Sequence, residues 1–180
     1  MNTTASGIVS NLLYLDNTFG FIPNGCRDYQ LNRSQPPLSS DMVIEVLSTS
    51  DLFTQETLDI LDAEYDFWMT YRKSNIDGLN RYFSSTTLPR PESYREDTQL
   101  ASESATPAAE LYTALAAGAE TGWGYSSRWF ADGENLTTIA TPDVIPVCLN
   151  SIMLRFELNM RYLHGKMGNT NTMRSYLVAA

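Results

Sequence analysis

Histidine, cysteine and positive charge are all scarce in this chain of 180 residues. The one histidine, His164, and the two cysteines, Cys26 and Cys148, show no Cys-x-x-Cys or His-x-x-x-His spacing, so neither a metal site nor a disulfide framework is expected. Each cysteine is expected to act as a small buried hydrophobe, and His164 to lie near the end of a helix, just before Gly165. Only 12 Lys and Arg residues stand against 21 Asp and Glu, a net charge of -9. That balance argues against a nucleic-acid backbone or an anionic membrane surface as partner, whereas a neutral ligand would be indifferent to it. The acidic residues are scattered, which reads as a solvated surface. No apolar stretch reaches roughly 18 residues, so no transmembrane segment is expected. The first turns lack a basic stretch followed by an apolar run, so no secretory signal is expected either. The compartment stays open, because Asn2-Thr3-Thr4, Asn32-Arg33-Ser34 and Asn135-Leu136-Thr137 are formal glycosylation sequons.

What is present is helical spacing. Ile8, Leu12 and Leu15 fall on one face of a first helix that should break near Gly20. Pro23-Asn24-Gly25 reads as a turn, and Pro36-Pro37 prevents a helix from starting before about Ser39. Leu58, Leu61, Tyr65, Trp68 and Met69 recur at three and four residues along a second helix, with Thr54 as its N-cap and a stop at Asn75 to Gly78. The aromatic run Tyr65, Phe67, Trp68 and Tyr71 is expected to pack in the core. Pro89 and Pro91 mark residues 84–93 as an extended loop, on which Arg90 and Glu92, two residues apart, would face one ligand together. Ala108 to Ala119 has strong helix propensity and Gly122 is placed to end it. Pro146 opens a long helix through Leu149, Met153, Phe156 and Met160 to about His164, and a last helix starts near Thr170. No regular repeat or low-complexity linker interrupts the chain.

Four loop blocks carry more than secondary structure. Phe21-Ile22-Pro23-Asn24-Gly25-Cys26-Arg27 is followed by Asn32-Arg33-Ser34-Gln35-Pro36-Pro37. Then come Pro89-Arg90-Pro91-Glu92-Ser93-Tyr94-Arg95-Glu96, Glu120-Thr121-Gly122-Trp123-Gly124-Tyr125-Ser126-Ser127-Arg128-Trp129 and Ile145-Pro146-Val147-Cys148-Leu149-Asn150. In this order they resemble the trehalases, a glycoside hydrolase family. The family has Asp where Cys148 stands, and its catalytic-acid motif reads Gly-Trp-Asp before an aromatic-Ser-Ser-Arg-Trp run. The place of that Asp is held here by Gly124.

The resemblance implies an all-α fold, part of an (α/α)6 toroid of helix pairs with long functional loops at one end. Residues 1–180 would form a single incomplete catalytic domain, whose open side would expose apolar stripes. It implies trehalose or a related disaccharide as ligand, no cofactor, and sugar contacts at Asn24, Arg33, Ser34, Gln35, Arg90, Pro91, Glu92 and Gly122. Rigid guanidinium donors, carboxylate acceptors and backbone groups suit an uncharged, densely hydroxylated ligand. Taken singly, Arg33 and Arg90 also read as surface arginines, Glu92 as a cap or ion-pair partner, and Arg128 and Trp129 as residues that hold their loop.

Trehalases hydrolyse trehalose with inversion, which requires a carboxylic acid to protonate the leaving oxygen and a second carboxylate, roughly 6.5–9.5 Å away, to activate water. Gly124 supplies no proton, and the resemblance places the family's base downstream of the blocks matched here. Glu120 and Asp132, four residues before Gly124 and eight after it, are not spaced to replace the acid. Three functions follow as expectations: a truncated trehalase-like hydrolase inactive by itself, a non-catalytic pseudoenzyme that binds trehalose or pairs with another trehalase chain, or a gene fragment without function.

Overall fold

A computed structural model describes residues 3–48 and 51–179, with the side chains of residues 3 and 177–179 left aside; Asn2 of the first sequon lies outside the described residues. The helices are α1 (Thr3–Phe19), α2 (Ser39–Val46), α3 (Gln55–Tyr71), α4 (Tyr94–Glu103), α5 (Ala108–Glu120), α6 (Val147–Met167) and α7 (Thr170–Ala179), with short 3-10 turns between them. Among the described residues no strand forms, and pairing is limited to isolated bridges such as Pro23 with Ser34 and Phe130 with Ile139. The all-α expectation holds.

The chain divides into two compact units, Met1–Ile22 with Pro37–Asn80 and Val147–Ala180, and Pro23–Pro36 with Arg81–Pro146. The first contains α1, α2, α3, α6 and α7. Its core joins Val9, Leu13, Val43, Val46, Leu58, Leu61, Phe156, Met160, Leu163 and Tyr176, each large side chain contributing about 1.5–3 kcal/mol by leaving water. Thr54 caps α3 as expected, its side chain accepting from Thr57 N at 3.2 Å. The face of α1 differs from the sequence expectation by one residue. Val9, Leu13 and Asp16 are buried and Ile8 is 55 % exposed, because a carboxylic acid rather than an apolar residue occupies the innermost position of the last turns and hides the true stripe.

Other boundaries also shift. α3 ends at Tyr71, before the expected stop, since Ser74 N turns back to Leu79 O at 2.8 Å and Gly78 takes a left-handed conformation. Tyr71 lies 66 % exposed rather than in the core, whereas Trp68 is fully buried and Phe67 stacks on Phe21 with ring centroids 4.6 Å apart. α6 continues past His164 to Met167. Cys26 is exposed and Cys148 half-buried; Cys26 sits in a polar turn, where no helix face draws it inward.

The second unit is built on α4 and α5. α5 buries Leu111 and Ala114 to Gly118, and its small residues permit close approach of the loops. Gly122, at φ +70°, follows the helix end as expected. α4 has no counterpart in the sequence reading. It buries Asp97 and carries Glu96 and Asp97 in its first turn, where negative charge suits the helix dipole. A 3-10 turn over Pro91–Ser93 leads into it. Trp129 is buried against Tyr82, edge to face at 6.1 Å, which gives it the loop-holding role.

Candidate functional site

All eight expected sugar-contact positions and Gly124 lie in the second unit. The two halves of the Asn24 and Arg33 blocks are paired through the backbone, Asn24 N donating to Arg33 O at 3.0 Å. The Asn24 side chain then ties the pair to α5. Its Nδ2 donates to Ala119 O at 3.1 Å and Ser34 O at 3.3 Å, and its Oδ1 accepts from Arg33 Nε at 3.1 Å. Gln35 Nε2 donates to Asn24 O at 2.9 Å. Such a loop is rigid because its amides are consumed internally, and the end of the Gln30 side chain packs against Gly25 beside it.

Arg33 is a buried side chain, 2 % exposed, rather than a surface arginine. Its Nη1 donates to Asn32 Oδ1 at 2.9 Å and its Nη2 to Glu92 Oε1. The Glu92 side chain keeps 26 % of its surface accessible. Of the five N–H groups of a guanidinium, Arg33 therefore commits three to Asn24, Asn32 and Glu92. Ser34 is fully buried, and both its N and its Oγ donate to Glu120 Oε1, at 2.9 and 2.7 Å.

Arg90 belongs to a neighbouring network. Its Nε and Nη2 donate to Asp97 Oδ2 and Oδ1 at 2.9 and 2.7 Å, its backbone N to Asp97 Oδ2 at 2.9 Å, and its Nη1 to the Tyr125 hydroxyl. Burial alone would lower the Arg90 pKa; the hydrogen bonds to Asp97 and the negative charge around it raise it instead. Burial raises the Tyr125 pKa against the pull of Arg90. Arg90 and Glu92 thus do not present a common face from an extended strand, because Pro91–Ser93 is a 3-10 turn that sends Arg90 to Asp97 and Glu92 to Arg33. Pro91 is exposed at the start of that turn.

The 122–130 loop is open. Gly122 lies against Pro36, where a Cβ would be 3.6 Å from Cγ, and Gly124 has φ +62° with nothing within 4 Å of a Cβ. Trp123 is 55 % exposed and the Arg128 guanidinium covers its ring at 4.3 Å. Sequence reasoning missed Trp123, Tyr125, Asp97 and Glu120 as parts of this site; Trp123, Tyr125 and Glu120 share a block with Gly124 and Asp97 directly follows the Arg90 block, which is the signal that could have pointed to them. Asp132, far from acting as an acid, is held well below the usual carboxylate range by the backbone and side-chain N–H groups of Asn135 and the backbone N–H of Glu134. Among the described residues no group of His, Cys, Asp and Glu is arranged to hold a metal ion, and no helix is long and apolar enough to cross a membrane.

Known proteins give the same direction. The chain matches the trehalase family profile over residues 1–180. It is 46 % identical to the trehalase of Dictyostelium discoideum, covering 99 % of this chain and 33 % of that protein. It is 42 % identical to the trehalase of Apis mellifera, covering 98 % and 30 %, and 38 % identical to a probable trehalase of Oryza sativa, covering 100 % and 34 %. Among solved structures, neutral trehalase from Saccharomyces cerevisiae shares the helical fold with a TM-score of 0.72 at 22 % identity, covering 92 % of this chain and 34 % of that one. The chain spans about a third of the length of the curated relatives it matches. It belongs to the trehalase family.

Proposed function

We propose that this chain carries part of a trehalose-binding surface of a trehalase-type glycoside hydrolase, built from Asn24, Arg33, Gln35, Arg90, Pro91, Glu92 and Gly122, with fully buried Ser34 supporting it from behind. We further propose that it does not hydrolyse trehalose by itself. The observation that carries the first reading is the Arg33–Glu92 pair. A buried guanidinium fixed by Asn24 and Asn32 holds a partly accessible carboxylate in place. A preset acceptor of this kind can take hydrogen bonds from sugar hydroxyls without first being ordered, which lowers the entropic cost of binding. Exposed Trp123 adds an aromatic face of the sort that packs on sugar rings.

The second reading rests on Gly124. General acid catalysis contributes about 10²–10⁴-fold and needs a proton donor within about 2.6–3.2 Å of the leaving oxygen. At the family's acid position this chain has only a backbone turn, and neither Glu120 nor Asp132 replaces it, the one being buried in loop contacts and the other a turn acceptor. The arrangement therefore favours sugar binding over hydrolysis.

Titration calorimetry with millimolar trehalose tests the binding. A saturable heat that Glu92→Gln weakens at least several-fold is expected, and absence of heat from the unsubstituted chain overturns the reading. Glucose release from trehalose at the rate of a working trehalase would overturn the second proposal.

A further inference from the structure

We infer that Glu120 is the positioning residue of the sugar-contact loops, acting behind them as a shared hydrogen-bond acceptor; this rests on the binding reading above. Glu120 is the last residue of α5 and is fully buried. Its Oε1 accepts from Ser34 N and Oγ, and its Oε2 accepts from Phe83 N at 2.9 Å. These contacts join segments far apart in sequence. Ser34 follows Arg33 directly. Phe83 lies on the segment that runs to Arg90 and Glu92, and that segment is stitched to the first by Ser84 Oγ, which donates to Asn32 O at 2.9 Å. The next residues after Glu120 are Thr121 and Gly122, where the open loop begins. Thr121 Oγ1 returns to Gly118 O at 2.8 Å and accepts from Trp123 N at 3.0 Å.

One carboxylate thus sets the spacing of the Arg33 block, the Glu92 segment and the 122–130 loop. The chemistry explains why a carboxylate is needed. An ionised Glu offers acceptors on both oxygens, whereas Gln offers one oxygen and two N–H donors. In Glu120→Gln, either the Ser34 N–H and O–H or the Phe83 N–H must face an N–H group. Side-chain volume is unchanged, so the substitution tests acceptor geometry rather than packing. A residue that merely holds the fold together would lower stability and leave the affinity of folded molecules as it was. A positioning residue changes the affinity, because Arg33 and Glu92 lose their mutual register.

The test measures trehalose affinity by calorimetry well below the melting midpoint, with thermal melts of each variant alongside. Glu120→Gln is expected to weaken trehalose binding about tenfold, the loss of a charged hydrogen-bond acceptor. A lower midpoint with unchanged affinity overturns the inference while leaving the binding reading intact. No binding by the unsubstituted chain overturns both. Should Glu120→Gln give no cooperative melt, Ser34→Ala takes its place. Ser34 is fully buried and its Oγ donates only to Glu120 among the described contacts, so its hydroxyl acts on a ligand through that carboxylate. Weaker binding with the midpoint kept supports the inference, and unchanged affinity overturns it.

Discussion

Arg90 and Asp97 form a two-pronged ion pair away from water, Nε on Oδ2 at 2.9 Å and Nη2 on Oδ1 at 2.7 Å, with side chains 10 % and 2 % exposed. Removing one partner of such a pair leaves the other charge buried and uncompensated. Asp97→Ala is therefore expected to destabilise the chain by about 3 kcal/mol, measured by urea unfolding. Arg90→Met combined with Asp97→Leu should recover most of that loss, because two apolar residues leave no orphan charge. Equal loss in single and double variants would show that the Asp97 bond to Arg90 N, not the ion pair, is what matters.

Gly124 and the space beside it make a separate prediction. A Cβ there meets nothing within 4 Å, and the φ of +62° lies in the left-handed region, which Asp and Asn tolerate better than other side chains. Gly124→Asp should fold, with a cost of about 1 kcal/mol and a melting midpoint about 2–4 °C lower. It should release no glucose from trehalose, since a second carboxylate is required as base. Robust glucose release would place the base within this chain.

The sequence made the loops legible and the carboxylates illegible. Prolines and glycines punctuate by their own backbone restrictions, so the helix starts after Pro36-Pro37 and Pro146 and the end of α5 before Gly122 could be read directly. The charges could not. Asp16, Glu64, Asp97 and Glu120 read as solvated acids, yet all four are buried; Glu64, Asp97 and Glu120 find partners that are distant in sequence or hidden by a turn, and burial instead pushes the Asp16 carboxyl toward its neutral form. α4 escaped notice since Tyr94–Glu103 buries a carboxylate rather than an apolar stripe. Arg90 and Glu92 were expected on one face because alternation assumes an extended chain; the turn over Pro91–Ser93 removed that premise.

Gly118 should respond to substitution with a sign opposite to its helical setting. In a helix interior Ala is ordinarily better than Gly by about 0.5–1 kcal/mol. Here a Cβ would meet the Tyr125 ring at 2.9 Å and Ile139 Cδ1 at 3.3 Å. Tyr125 cannot withdraw freely, its hydroxyl being held by Arg90 and by Leu115 O at 3.2 Å. Gly118→Ala is expected to destabilise by about 1–3 kcal/mol through overpacking, read as a lower thermal midpoint. A higher midpoint would show that Tyr125 is not seated against α5.

The pair Asp16 and Glu64 should govern the pH dependence of stability. Both are buried in the first unit, Ser39 Oγ donates to Glu64 Oε2, and Asp16 faces the Glu64 carboxyl. Burial, with the neighbouring Glu64 charge added, pushes the Asp16 carboxyl up from 3.8 to about 9, and burial also raises Glu64, against the opposing hydrogen bond of Ser39. Between these limits the folded chain holds protons that the unfolded chain has released. Each such proton lowers the unfolding free energy by about 1.4 kcal/mol per pH unit as pH rises. The contribution is complete below pH 4 and is lost progressively toward pH 9. Asp16→Asn removes one of these protons and gives Glu64 an N–H donor in its place, so its unfolding free energy should fall less steeply between pH 5 and 9, crossing above the unsubstituted chain at the alkaline end. Parallel curves for the two proteins, measured by urea titration across that range, would show that the carboxyl pair is solvated and does not set the slope.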